Sequence, residues 1–185
     1  SHIILYGAKI SEHASPLHFK QSSKAILPDY YPASPYAIEL GLKNSSFNDA
    51  DENYWLIESE NLKNLFKDKV EHIKNNHQIQ HYSIFALAPQ PLLIRLGTLL
   101  NDIYPASVFQ LHREPATWEW LEEKDKVEYT IIEPAKTGKK VALKISLSAV
   151  ISDDRITAVL SEEIAIWSIT IPGPDNDYLR SKNQL

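Results

Sequence analysis

Tyr82-Ser83-Ile84-Phe85-Ala86-Leu87-Ala88-Pro89-Gln90-Pro91-Leu92-Leu93-Ile94-Arg95-Leu96-Gly97-Thr98-Leu99-Leu100, followed closely by Ser107-Val108-Phe109-Gln110-Leu111, decides how this chain folds. Tyr82 to Ala88 is apolar on both faces, the pattern of a strand in a sheet covered on both sides. Pro91 suits a first helical turn, where its missing N–H costs nothing and its φ is already set. The leucine-rich run after it predicts a helix to about Asn101, and Ser107 to Leu111 predicts a second strand. Strand, helix, strand is the unit that builds parallel sheets, so the expected class is α/β, a Rossmann-like parallel-rich sheet flanked by helices.

Outward from this unit, His2 to Ile10 reads as a core strand, and its central Tyr6-Gly7-Ala8 suits a close approach to another backbone. Ser11 to Asn53 is broken by Pro16, Pro28, Pro32 and Pro35, with turn signals at Ser34-Pro35-Tyr36 and Asn44-Ser45-Ser46, and reads as a long irregular excursion. Between Glu60 and Asn75, Leu62, Leu65, Phe66, Val70 and Ile73 share one helical face. Further strands are expected at 128–132, 141–151 and 164–171, with a short helix at 153–160. Ile4 to Ser11 and Ile145 to Ser152 match at four of eight positions, as a duplicated half-domain or chance between two apolar strands would produce.

The 185 residues are 43% hydrophobic and 23% charged with a formal charge of −5, which fits one globular core, or one and part of another. The acidic balance argues against a broad surface for duplex nucleic acid, which needs clustered Lys and Arg. No apolar run approaches the ~20 residues that span a bilayer, and the first residues lack a signal-peptide pattern, so a cytoplasmic protein is expected. The absence of cysteine excludes disulfides, thiolate zinc sites and a cysteine nucleophile. A chain that starts at Ser1 and has no methionine reads as a piece of a larger protein.

Ligands of open parallel sheets bind outside the carboxyl ends of the strands, near the amino end of the next helix. That place is Ala88-Pro89-Gln90-Pro91, where two prolines leave the N–H groups of Gln90, Leu92 and Leu93 and the Gln90 amide as donors. Neither a GxGxxG nor a Walker sequence is present. Gln110-Leu111-His112-Arg113-Glu114-Pro115-Ala116-Thr117-Trp118-Glu119-Trp120 is expected on the same edge. There Arg113 could fork onto a phosphate, Gln110 and His112 could hydrogen-bond base or ribose, and Trp118 and Trp120 offer stacking faces. The alternatives are a core role for at least one tryptophan, a surface pair of Arg113 with Glu114, and a structural hydrogen bond for His112.

His2, His13, His18, His72, His77, His81 and His112 form no zinc motif, since His72 and His77 miss the i, i+4 spacing. Ser83, Ser146 and Ser148 lie in strands without a nucleophile elbow. Asp153-Asp154 and Glu162-Glu163 flank a short helix, where such acids cap. No cofactor and no catalytic set is expected.

In wording and order, Tyr82 to Ile94 with Leu96-Gly97, Val108 to Pro115, Trp118-Glu119-Trp120, Ile145 to Ala149, and Ile169-Thr170-Ile171-Pro172 with Tyr178-Leu179-Arg180 resemble the SAVED domain family. The resemblance implies a sensor module of bacterial anti-phage systems of the CBASS or CRISPR type, built from two fused CARF-like halves. Such a module binds a cyclic di- or trinucleotide between the halves, forms homo-oligomers on binding, and activates a fused effector such as an endonuclease. The implied ligand residues are Pro89, Gln90, Gln110, His112, Arg113, Trp118 and Trp120. Residues 1–140 are expected to be the first half, with 11–53 an irregular insertion, and 141–185 the start of a second half whose remainder, with the effector, lies outside this chain. The competing expectations are a ring nuclease or phosphodiesterase, with His112 as base and Arg113 as clamp, and a purely structural oligomerisation domain.

Overall fold

A computed structural model describes residues 1–9, 17–42, 47, 49–73, 81–121, 126–160 and 163–184. They form two compact units, Ser1–Glu119 and Trp120–Leu185. His13, Pro16, the Asn44-Ser45-Ser46 turn, His77 and Glu162 lie outside the described residues.

The first unit is built on four parallel strands, β1 (His2–Gly7), β2 (Ile38–Glu39), β3 (Tyr82–Leu87) and β4 (Ala106–Phe109), in the order β2-β1-β3-β4. β1 and β3 run in register from His2 opposite Tyr82 to Gly7 opposite Leu87, and β3 continues onto β4 with Phe85 opposite Phe109. Helices α1 (Phe19–Ala25), α2 (Glu52–Phe66) and α3 (Gln90–Leu100) connect them, and α2 runs on into a π-helical turn, Lys67–Glu71.

Side-chain alternation along the strands divides the core. Ile4, Tyr6, Ala8, Ile38, Leu40, Tyr82 and Ile84 pack with Tyr54, Leu62, Phe66 and Val70 of α2 and its extension and with Leu92, Leu96 and Leu100 of α3. The intervening Ile3, Leu5 and Phe85 are as deeply buried, as are Ser22 and Ala25 of α1. Both faces are thus apolar, which is why β1 and β3 lack a polar alternation. At the amino edge, His81 lies 2.9 Å from the Ser1 hydroxyl through Nδ1 and 3.0 Å from the Ser107 hydroxyl through Nε2, and it stacks on Tyr30 at 3.9 Å.

Two features depart from the sequence expectation. The 11–53 stretch is not uniformly irregular: it carries α1 and β2. α1 is only seven residues long, without a side-chain cap, and β2 has two residues, so neither leaves a periodic signature between the prolines. The long helix starts at Glu52 rather than Glu60, because Tyr54 and Glu58 continue its buried face toward the amino end.

In the second unit, β6 (Lys140–Ser146) and β7 (Ile164–Thr170) are parallel neighbours joined by α4 (Asp153–Leu160), and β5 (Thr130–Ile132) pairs antiparallel on the far side of β7. β6 ends at Ser146, so the residues from Leu147 onward in the Ile4–Ser11 echo fall in a bend and not in a strand. The likeness lies in topology, since β6–α4–β7 and β1–α1–β2 are both parallel neighbours joined through a helix. The unit boundary falls ahead of β5, because β5 pairs with β7 and not with the first sheet. Gln184 closes the tail: its side-chain carbonyl accepts the Arg180 and Ser181 N–H groups at 2.8 and 2.9 Å, and its amide donates to the Tyr178 carbonyl at 2.7 Å.

Candidate functional site

The strand order β2-β1-β3-β4 reverses direction between β1 and β3, and a sheet of this kind offers its ligand crevice at that switch point, outside the carboxyl ends of the strands. Three backbone segments meet there. The first is Gly7-Ala8-Lys9, leaving β1 with a last ladder bond from the Ala8 N–H to the Leu87 carbonyl at 3.1 Å. The second is Leu40-Gly41 beyond β2, where a Cβ on Gly41 would overlap the Gly7 carbonyl oxygen and sit 3.0 Å from its carbon. This is the close approach expected around Tyr6-Gly7-Ala8, and it requires glycine at 41. The third is Ala88-Pro89-Gln90, entering α3 with Pro89 as N-cap.

Pro89 is half-buried and Gln90 exposed. The Leu92 and Leu93 N–H groups both donate to the Pro89 carbonyl, at 2.9 and 3.2 Å. They are therefore spent within the turn, and only the Gln90 N–H and side-chain amide remain as donors of this helix start. Its first turn carries no acidic side chain, so the positive end of the helix dipole is not offset locally.

Gln110 follows β4 on the same edge, half-buried. Beyond it the chain makes a narrow hairpin: the His112 N–H donates to the Thr117 carbonyl at 2.8 Å, and the Thr117 hydroxyl accepts the Glu119 N–H at 3.1 Å. Arg113 and Glu114 are exposed at its tip, and Arg113 makes no ion pair among the described residues. The surface pair of Arg113 with Glu114 is thus not formed.

The hairpin base is core. Trp118 is 2% exposed and stands edge-on to Phe85, 5.2 Å between centroids at 81°, while Phe85 stacks on Phe109 at 4.6 Å. The Trp118 ring is thereby packed inside the unit, its indole N–H without a partner among the described residues, and it anchors the hairpin that carries Arg113. His112 is 6% exposed on the same hairpin. Trp120 is half-exposed and belongs to the second unit. The sequence-derived residues thus divide: the structure brings Pro89, Gln90 and Gln110 to one sheet edge, puts Arg113 at a hairpin tip beyond it, buries His112 and Trp118, and assigns Trp120 elsewhere.

Sequence reasoning missed Lys9, which follows Gly7 on this edge, and Tyr54, whose hydroxyl donates to the Lys9 carbonyl at 2.7 Å. A glycine at each strand exit, Gly7 and Gly41, was the available signal. In the second unit, an open cleft of about 800 Å³ lies beyond the carboxyl end of β7, lined by Lys126, Glu128, Pro172, Asp175 and Tyr178 among others. Two carboxylates against one lysine make it a poor seat for a polyanion.

Residues 62–185, about two thirds of the chain, match the family model described as SAVED, the SMODS-associated and fused to various effectors sensor domain. The chain belongs to the SAVED family. SAVED domains are cyclic-nucleotide sensors and are non-catalytic. No curated protein matches the chain. Among the described residues no group of three or more acids and histidines could hold a metal ion, and no helix is long and apolar enough to cross a membrane.

Proposed function

We propose that this SAVED chain senses a cyclic di- or trinucleotide at the carboxyl edge of its first sheet and passes binding on as assembly. The observation that carries the reading is the switch point itself. Gly7 to Lys9 and Pro89-Gln90 flank it, a helix start whose first turn carries no acid faces it, and Arg113, without an ion pair among the described residues, stands beyond the neighbouring strand. Gln90 and Gln110 supply amides for base or ribose edges, and Arg113 takes a phosphate. Trp118 and His112 hold the Arg113 hairpin from within.

Residues 141–185 begin a second CARF-like half, a reading supported by the shared topology of β6–α4–β7 and β1–α1–β2. Ligand-dependent homo-oligomerisation then switches a fused effector, an endonuclease for example, in bacterial cytoplasmic anti-phage defence. The burial of His112 argues against a phosphodiesterase, which needs its base at the substrate.

The test is a thermal-shift series with cyclic di-AMP, cyclic di-GMP, cyclic tri-AMP and cyclic tetra-AMP, against linear AMP and ATP. At 100 times Kd a ligand of the native state adds about 2.7 kcal/mol, a rise of about 5–10 °C for this chain length. A rise with one cyclic compound and not with the linear controls is expected. Equal response to all, or to none, contradicts the proposal.

A further inference from the structure

Tyr54 lies in the first turn of α2 and is fully buried, yet it does not end in the core. Its hydroxyl donates to the carbonyl of Lys9 at 2.7 Å, two residues past the end of β1. Among the described residues the Ala8 N–H makes the last bond to β3, and the Lys9 peptide beyond the end of β1 is held by Tyr54 as well. Tyr54 holds it from the helix side. Its carbonyl is thereby engaged with α2 and is not left as an acceptor facing an anion.

The surroundings of this bond are costly for a purely structural device. Tyr6, fully buried, has a hydroxyl without a partner among the described residues, and Glu58, one helical turn beyond Tyr54, is 2% exposed. Burying the Tyr6 hydroxyl without a partner among the described residues costs free energy that a phenylalanine there would not. Burial, with the Glu58 and Asp49 charges, pushes the Tyr54 phenol up to about 12, so it stays a donor at any pH the protein meets.

We infer that Tyr54 is a positioning residue for the proposed ligand edge: through its bond to the Lys9 carbonyl it fixes the Gly7-Ala8-Lys9 exit of β1 against the crevice opposite Gln90. The inference rests on the proposed function. It also ties occupancy of the crevice to the amino-terminal turn of α2, because a ligand that orders the β1 exit orders its clamp.

The test uses the 185-residue chain with Tyr54→Phe and, as control, Tyr82→Phe. Tyr82 is equally buried but sits at the opposite, amino end of β3, and its hydroxyl has no partner among the described residues. Calorimetric titration uses whichever of the four cyclic compounds shifts the wild type. Tyr54→Phe is expected to weaken Kd about fivefold, the worth of one net hydrogen bond, and Tyr82→Phe to leave Kd within twofold. Equal Kd for Tyr54→Phe and wild type overturns the inference and leaves the proposed function standing; a wild type that binds none of the four overturns both. Should Tyr54→Phe not fold, hydrogen exchange on the wild type decides. Added compound must slow exchange in residues 52–55 as well as at 7–9, and unchanged exchange in 52–55 overturns the inference.

Discussion

Replacing Gly41 by alanine puts a methyl group where the Gly7 carbonyl oxygen stands, with the Gly7 carbon at 3.0 Å and nitrogen at 3.2 Å. The obstacle is backbone of the central strand, so no side chain can swing aside. β2 must move off β1, straining the Leu40 N–H bond to the Leu5 carbonyl at 2.9 Å and loosening Leu40, which is fully buried. Overpacking of this kind costs about 1–3 kcal/mol, or about 2–12 °C in Tm at ~2–4 °C per kcal/mol for this size. Gly97 offers the matched comparison. It is exposed within α3 and a Cβ there meets nothing within 4 Å, so Gly97→Ala gains about 0.5–1 kcal/mol of helix stability. Urea unfolding of both variants beside the wild type reads two changes of opposite sign. Gly41→Ala as stable as the wild type would refute the close approach of β1 and β2, and with it the crevice geometry.

Trp118→Ala should destabilise the chain by about 3–5 kcal/mol, the cost of emptying a large buried aromatic site, read by the same urea unfolding; an unchanged midpoint would mean the ring is not core. Arg113→Ala should leave the Tm of the free protein within a degree or two and weaken cyclic-nucleotide binding at least tenfold, as expected for a charge-assisted contact; titration calorimetry checks it, and unchanged affinity removes Arg113 from the site. Burial pushes the phenols of Tyr54 and Tyr82 up to about 12 against an ordinary 10. The native state then holds protons that the unfolded state releases, so the stability from these groups is complete below pH 10 and is lost as pH rises from 10 toward 12. Phenolate absorbance should show them ionising only with unfolding, and all nine tyrosines titrating together near pH 10 would contradict it.

How much of this was legible in the sequence follows from what each element owes to local pattern. β3, α3 and β4 declare themselves because continuous apolar runs and Pro89-Gln90-Pro91 fix period and start together. α1 and β2 stay hidden because a seven-residue helix without a cap and a two-residue strand get their stability from packing on β1, a tertiary effect no window shows. The site was half legible. Gln90 and Gln110 follow from the parallel-sheet rule, and Gly7 hinted at a close approach, but the partner Gly41 sits far away in sequence. Trp118 and Trp120 look alike on the page; the hairpin between His112 and Thr117 turns the first into the core, and the second belongs to another unit. Tyr54 was invisible because its role is one hydrogen bond to a backbone carbonyl across the fold.

The function proposed for this chain stands or falls with a ligand bound at the carboxyl edge of the first sheet. Hydrogen exchange of the chain with and without the cyclic compound that shifts its Tm tests this most directly. Slowed exchange is expected at residues 7–9, 88–93 and 110–113. Protection confined to the cleft of Lys126, Glu128, Pro172, Asp175 and Tyr178 in the second unit, with the first sheet's edge unchanged, would contradict it.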